Sequence, residues 1–148
     1  MRTNKTGSHS LIDHHNDNIN SILLVPCNST LTLKDELVMG AGFAKAVKLL
    51  RPELPKLAGA VVKRLTGHYY MLYFEEYRIA LIQTKTDWRK NTTSKLLKES
   101  LERLNLFAQL HHRRTINSVV PGVGRGGLKL SEVVPLLKPL PNNVVFWL

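Results

Sequence analysis

The sequence has a single cysteine, Cys27, among its 148 residues. An internal disulfide and a cysteine-based zinc site are therefore excluded, and the position of Cys27 at the end of an apolar run favours a small core residue over a nucleophile. No apolar run approaches the roughly 20 residues that span a membrane. The first ten residues are polar and lack the apolar stretch of a signal peptide. We therefore expect a cytoplasmic protein without a membrane partner.

Acidic residues are also few, since 11 Asp and Glu stand against 21 Lys and Arg, and the formal net charge is +10. This excess favours a polyanionic partner, either nucleic acid or a phosphate-rich ligand, although a solvated basic surface gives the same composition. The hydrophobic content of 43% is that of an ordinary globular domain. We expect one monomeric domain over residues 1–148, with a flexible end at residues 1–9.

Apolar patterns divide the chain into strands and helices. Ile22 to Val25 is continuously apolar, as in a strand buried on both faces, whereas Leu97, Leu101 and Leu104 recur at helical spacing. We predict strands at 10–13, 21–27, 60–65, 69–74, 78–83, 115–121 and 143–148, and helices at 41–51, 92–110 and 130–138, with one more helical turn at 53–58. This order predicts an α/β fold with three α/β/α layers around a mixed central sheet.

Two glycine-rich loops each follow a predicted strand and precede a predicted helix. They are Val38-Met-Gly-Ala-Gly-Phe-Ala44 and Gly122-Val-Gly-Arg-Gly-Gly127. The first is neither a Rossmann fingerprint, because Lys45 stands where the third glycine would fall, nor a Walker A loop. Two such loops can bind the two ends of a diphosphate through backbone N–H groups. Arg125 either adds a charged donor to this site or faces solvent.

A third loop, Thr84-Lys-Thr-Asp-Trp-Arg-Lys-Asn91, also follows a predicted strand. All three loops are expected at the carboxyl edge of the sheet, where ligands bind in such folds. Within the third loop, Lys85 is either a surface lysine or a functional group, and Trp88 is either a stacking platform for a base or a half-buried anchor. His14 and His15 lack an identifiable second group of metal ligands, so we predict a polar loop there and no metal site.

These motifs carry a resemblance to a known family. Val38 to Val47, after a strand that ends in Asn28, resembles the first ADP-ribose loop of macrodomains, and Val120 to Leu128 resembles their second loop. Gln83 to Lys90 resembles the branch that contains the DNA ADP-ribosyl glycohydrolase antitoxins and the terminal ADP-ribose protein glycohydrolase. The resemblance extends from about Ser21 to the last residue, and its specificity lies in the combination and order of the motifs. It implies a macrodomain-like fold with ADP-ribose as the ligand.

The resemblance also implies roles for individual residues, and no cofactor. Asn28 would approach the distal ribose, Lys85 would attack its anomeric carbon, and Asp13, or else Asp17, would hold the adenine amino group. The residues implied to surround the diphosphate are Met39, Gly40, Ala41, Gly42, Phe43, Ala44, Gly122, Val123, Gly124, Arg125, Gly126 and Gly127.

One departure from the family pattern concerns the catalytic acid. Some relatives carry an aspartate in the second glycine loop, which has none here. Either another carboxylate serves, Asp87 or Asp35, or turnover is slow, or the protein only binds. We expect a hydrolase that removes ADP-ribosyl groups from a macromolecule, either a DNA base or a protein side chain, with Lys85 as the nucleophile. The alternatives are a non-catalytic ADP-ribose reader, a phosphatase acting on ADP-ribose 1″-phosphate, and a basic nucleic-acid-binding module.

Overall fold

The computed structural model describes residues 1–7 and 10–148 as a six-stranded sheet between two layers of helices. The strands are β1 (Arg2–Asn4), β2 (Ser21–Cys27), β3 (Met71–Phe74), β4 (Ile79–Gln83), β5 (Thr115–Val119) and β6 (Val144–Trp147). The helices are α1 (Leu11–Asp17), α2 (Gly42–Leu50), α3 (Leu54–Arg64), α4 (Ser94–Leu110) and α5 (Leu130–Leu137). The strand order is β1-β6-β5-β2-β4-β3. Every neighbouring pair is parallel except β4 with β3, so the predicted mixed sheet is confirmed.

The central strand β2 is buried on both faces, which accounts for its continuous apolar sequence. Leu23 and Val25 pack in the core beneath α1, α2 and α3, and Ile22 and Leu24 pack in the opposite core beneath α4 and α5. All four residues are fully buried. A strand covered on both faces reads as an unbroken apolar run, and this run therefore predicted the three-layer arrangement correctly.

Two predicted strands are helical in the structure. Residues 60–65 mostly belong to α3, whose buried face repeats at four-residue intervals through Leu54, Ala58 and Val62. Residues 11–13 begin α1, in which the buried Leu11 and His15 are also four residues apart. In both segments the buried residues recur at helical spacing, and this spacing indicates the observed helix better than the local run of apolar residues does.

The N-terminal residues contribute an edge strand. Arg2–Asn4 pair in parallel with Val145–Trp147 of β6, so the expectation of a flexible end is wrong for residues 2–4. Residues 8 and 9, also part of that expectation, lie outside the described residues. Of the helices in residues 1–7 and 10–148, none combines the length and apolarity needed to cross a membrane.

The segment between β2 and α2 forms a short hairpin, which we call the 28–38 hairpin. Leu31 and Leu37 are paired across it. Its tip packs on α3, where the Asp35 carbonyl occupies the space that a side chain at Gly59 would need. Lys63 of α3 also pairs with the Asp35 carboxylate at 2.8 Å. The hairpin is thereby fixed beside the carboxyl end of β2.

Candidate ligand-binding cleft

A cleft of about 710 Å³ opens at the carboxyl edge of the parallel strands β2, β4 and β5. This volume lies within the usual range of small-molecule sites. The two glycine loops and the loop after β4 converge here, as their positions after parallel strands predicted. The lining residues are Pro26, Cys27, Asn28, Val38, Met39, Gly40, Ala41, Gly42, Phe43, Ala44, Thr84, Lys85, Trp88, Arg89, Val119, Val120, Gly122, Val123, Arg125 and Gly126.

The N-terminus of α2 faces this cleft. Its N-cap residue, Ala41, provides no side-chain acceptor, whereas Thr93 at the N-cap of α4 accepts a hydrogen bond from the N–H of Leu96 at 3.3 Å. The first N–H groups of α2 are therefore left for a ligand. Together with the helix dipole they favour an anion.

The second glycine loop is shaped by its contact with the start of α4. The N–H of Thr92 donates to the Gly126 carbonyl at 2.7 Å. A Cβ at Gly126 would lie 2.6 Å from the Thr92 hydroxyl oxygen, which is closer than side chains approach. A side chain at this position would therefore force Thr92 or the loop to shift.

The charges lining the cleft all have one sign. Lys85, Arg89 and Arg125 line it, and no carboxylate does so within residues 1–7 and 10–148. A cationic cleft that also contains a helix N-terminus is suited to a phosphate-bearing ligand.

Lys85 lies where the loop after β4 meets the second glycine loop. Its Nζ donates to the carbonyl oxygens of Trp88 and Arg125, each at 3.2 Å. Burial, followed by the nearby Arg125 guanidinium, lowers the pKa of Lys85, and Asp87 opposes this effect. A lowered pKa increases the uncharged fraction of the amine, and only the uncharged form is a nucleophile.

Neither predicted substitute for the catalytic acid lines the cleft. Asp87 pairs with Arg89 at 2.9 Å, and hydrogen bonds from the Arg89 side chain and backbone hold the pKa of Asp87 well below its usual range. Asp87 therefore stays ionised and is a poor proton donor. Asp35 lies on the 28–38 hairpin, paired with Lys63.

The residues proposed for adenine binding are also outside the cleft. Asp13 and Asp17 lie on α1, where both are exposed, and neither lines the cavity. The reason is that residues 11–17 form a helix, whose buried positions are Leu11 and His15. The structure therefore gives no support to an adenine contact by either aspartate.

The sequence matches no protein-family model, and no curated protein matches it. Solved structures do share the fold of this chain. The macrodomain of Thermus aquaticus DarG has a TM-score of 0.69 at 21% identity, over 99% of this chain and 95% of that chain. The macrodomain of Mycobacterium tuberculosis DarG has a TM-score of 0.63 at 21% identity, over 86% of this chain and 87% of that chain. The chain has the macrodomain fold.

A third structure with this fold, Thermosipho africanus DarTG in complex with ADP-ribose, has a TM-score of 0.69 at 22% identity. The match covers 86% of this chain and 37% of the Thermosipho chain, so this macrodomain corresponds to little more than a third of that protein.

Within this macrodomain fold, Asn28 connects the cleft to the 28–38 hairpin. Its Nδ2 donates to the Val38 carbonyl at 3.1 Å, and its Oδ1 accepts from the N–H of Thr30 at 2.9 Å. The side chain retains one amide hydrogen and one lone pair for a ligand. Asn28 therefore lines the cleft as expected, and it also fixes the start of the hairpin.

Trp88 is held in place by its backbone. Its N–H donates to the Thr30 hydroxyl at 3.0 Å, its carbonyl accepts from Lys85, and the Ser29 hydroxyl donates to the neighbouring Thr86 carbonyl at 3.0 Å. The side chain is 53% exposed at the wall of the cleft. The loop is thus anchored by main-chain bonds, and the Trp88 side chain stays half-exposed at the cleft.

Some predicted contacts fall outside the lining, and some lining residues were missed. Gly124 and Gly127 belong to the second loop without lining the cavity. Pro26 and Val119 line it although they belong to none of the three loop motifs, and Thr84 and Val120 line it from within motifs in which no role was predicted for them. Only their position along the chain could have identified them, because each lies at or next to the carboxyl end of a parallel strand.

Proposed function

We propose that the cleft binds ADP-ribose, with the diphosphate between Met39–Ala44 and Gly122–Gly127. The uncapped N-terminus of α2 and the two arginines at the cleft support this placement, since each favours phosphate oxygens. The similarity to Thermosipho africanus DarTG in complex with ADP-ribose supports the choice of ligand. The distal ribose then lies beside Asn28 and Lys85.

We further propose that the protein hydrolyses the bond between the distal ribose and a macromolecule. The position of Lys85 carries this proposal, because its Nζ is held between the Trp88 and Arg125 carbonyls at the cleft wall. The uncharged amine attacks the anomeric carbon, the carbon–leaving-group bond breaks, and the leaving group takes up the proton that Nζ loses. Water then replaces Nζ at the anomeric carbon, which regenerates the lysine and releases ADP-ribose.

The substrate proposed is an ADP-ribosylated DNA base, and a protein side chain is the alternative. Trp88 supports a base, because it is half-exposed and lines the same cleft as Lys85, where the group attached to the ribose would emerge. The net charge of +10 supports a polyanionic substrate.

A non-catalytic ADP-ribose reader is the second candidate. It is favoured by the absence of a carboxylate among the described residues that line the cleft, since glycosidic hydrolysis normally uses one. Both candidates require the same ligand, so a turnover measurement must separate them.

The test is release of ADP-ribose from an ADP-ribosylated oligonucleotide and, in parallel, from an ADP-ribosylated protein. We expect wild-type protein to release ADP-ribose from the oligonucleotide. Lys85→Ala should still bind free ADP-ribose but should not release ADP-ribose from the modified oligonucleotide. Lys90→Ala is the matched control, because Lys90 is exposed in the same loop and does not line the cleft. Removal of a nucleophile should lower the rate by at least about 1,000-fold.

Three outcomes are distinguishable. Full activity in Lys85→Ala would refute the nucleophile. Tight ADP-ribose binding with no release from either substrate would establish the reader. Release from the protein substrate alone would overturn the DNA assignment while leaving the hydrolase in place.

A further inference from the structure

Arg125 is positioned to act on both halves of the proposed site. Its side chain crosses from the second glycine loop to the first, where its Cδ and Nε lie 3.8 and 3.9 Å from the position of a Cβ at Gly42. Its main-chain carbonyl accepts a hydrogen bond from Lys85 Nζ at 3.2 Å. One residue therefore contacts the first turn of α2 and the proposed nucleophile.

The diphosphate poses an electrostatic problem for a lysine nucleophile. A lysine acts only after it loses its proton, and a nearby anion stabilises the protonated form. Bound ADP-ribose would bring two negative charges into the cleft that contains Lys85. A mechanism with this nucleophile needs a positive charge close to both the diphosphate and the Lys85 amine, so that the protonated lysine is not stabilised by the bound ligand.

The charged groups around Lys85 identify which residue meets this need. Its own loop contributes Asp87 and Arg89, which pair with each other at 2.9 Å, and Lys90, which is exposed and does not line the cleft. The first glycine loop, Met39–Ala44, contains no charged residue. The second loop contributes Arg125 alone. Of these groups, Arg125 is a cation without an ion pair among the described residues and also acts to lower the pKa of Lys85.

We propose that Arg125 offsets the charge of the bound diphosphate at Lys85, so that the lysine can lose its proton while the cleft is occupied. Arg125 is in this view a positioning residue: its carbonyl locates Nζ, and its guanidinium meets the phosphates beside Gly42. The proposal rests on the proposed function, because it requires a diphosphate in the cleft and a lysine that must be uncharged.

The variants separate the charge of Arg125 from its backbone contact. Arg125→Gln removes the charge but keeps the main-chain carbonyl that binds Lys85, and Arg125→Lys keeps the charge. Arg113→Gln is the matched control, because it lowers the net charge equally at an exposed residue after α4 and away from the cleft.

The measurement is the pH dependence of Lys85 acetylation by trace acetic anhydride, with and without ADP-ribose. After the trace reaction, the protein is denatured and its remaining lysines are fully acetylated with isotopically labelled anhydride, so that trypsin cuts at arginine only. The fragment Ile79–Arg89 then contains Lys85 as its sole lysine, and the isotope ratio gives the extent of the trace reaction. Its mass therefore reports this amine alone. ADP-ribose affinity is measured separately by calorimetry on the same variants.

We expect the acetylation midpoint of Lys85 to move to higher pH in Arg125→Gln and to stay near the wild-type value in Arg125→Lys and Arg113→Gln. ADP-ribose should widen the difference between Arg125→Gln and wild type. Loss of one charged donor to the phosphates should also weaken ADP-ribose binding about tenfold in Arg125→Gln.

An Arg125→Gln midpoint equal to that of wild type, or a difference that ADP-ribose does not widen, would overturn the role of Arg125 and leave the proposed function standing if the wild type binds and hydrolyses. Failure of the wild type to bind ADP-ribose in the calorimeter would refute the proposed function itself, together with the inference that depends on it.

Discussion

Single glycines in the second loop decide the shape of the cleft. Gly126 lies against Thr92, which is itself 4% exposed at the start of α4. The Thr92 hydroxyl and a Cβ at Gly126 would compete for one space, so a side chain there must move either the loop or the buried Thr92 side chain. By contrast, a Cβ at Gly40, in the first loop, would contact nothing within 4 Å.

We therefore expect Gly126→Ala to destabilise the protein by about 1–3 kcal/mol, the usual cost of forcing a methyl group into a packed site. Gly40→Ala should change stability by less than about 0.5 kcal/mol. Urea unfolding of the two variants beside wild type measures both quantities. Equal stability of the two variants would show that the contact between the loop and Thr92 is unimportant.

The sequence predicted the residues whose roles are local and missed those that depend on distant partners. The second glycine loop and Lys85 follow strand ends closely, so their place at the cleft could be predicted. The hydrogen bond from Trp88 to Thr30 joins residues 58 positions apart, and that from Lys85 to Arg125 spans 40 positions. No local pattern indicates such pairs, and the helix that contains Asp13 was predicted as a strand.

At the scale of elements, a chain of buried hydrogen bonds connects α1 to the centre of the sheet. Trp147 Nε1 donates to Asn117 at 3.0 Å, Asn117 donates to the Ser21 hydroxyl at 2.9 Å, and that hydroxyl lies 3.3 Å from His15 Nδ1. His15 Nε2 lies 3.4 Å from the Tyr77 carbonyl, which can only accept. Neutral His15 therefore carries its proton on Nε2 and accepts at Nδ1.

This network should make the fold sensitive to mild acid. Burial, with Arg78 second, lowers the pKa of His15 from 6.5 to about 4. Because the unfolded chain binds the proton more readily between these values, stability is full above pH 6.5 and falls as the pH drops toward 4. The loss should reach about 2 kcal/mol at pH 5 relative to pH 8.

Urea unfolding at pH 8, 6 and 5 measures this loss, and His15→Gln provides the comparison because glutamine does not titrate. The variant should be less stable than wild type at pH 8 and should lose less stability on acidification. Parallel loss of stability in the two proteins between pH 8 and pH 5 would exclude His15 as the source.

The unrecognised helix α1 and the second half of α3, beyond the helical turn predicted at 53–58, show a limit of predicting elements from sequence. In α1, seven residues hold only two buried positions, too few for a periodic pattern to stand out. In α3, the run from Ala60 to Leu65 contains adjacent β-branched residues, which favour a strand locally. Its helical partners Leu54 and Ala58 lie upstream, and their spacing with Val62 was the signal that identified the helix.

At the scale of the whole molecule, the layering could be predicted because it depends on burial. β2 lies between two cores, and its continuous apolar sequence reflects that position directly. The strand order and the contacts of the 28–38 hairpin with α3 required the structure, because pairing and packing between distant segments leave no periodic trace.

The positive charge is also a property of the whole molecule, and it makes two kinds of ligand plausible. A basic surface binds any polyanion, and this binding weakens steeply as salt increases. A formed cleft binds its own ligand through fixed donors at a helix N-terminus and through apolar contacts, which salt affects much less. Salt dependence therefore separates the cleft from the surface.

The most direct test is calorimetric titration of the protein with ADP-ribose in moderate and in high salt, with AMP and an unmodified oligonucleotide as controls. We expect one-to-one binding of ADP-ribose with a dissociation constant on the order of micromolar, weaker binding of AMP, and oligonucleotide binding that high salt abolishes. Folded protein that binds no ADP-ribose, but binds the oligonucleotide in moderate salt, would contradict the account and assign the function to the basic surface.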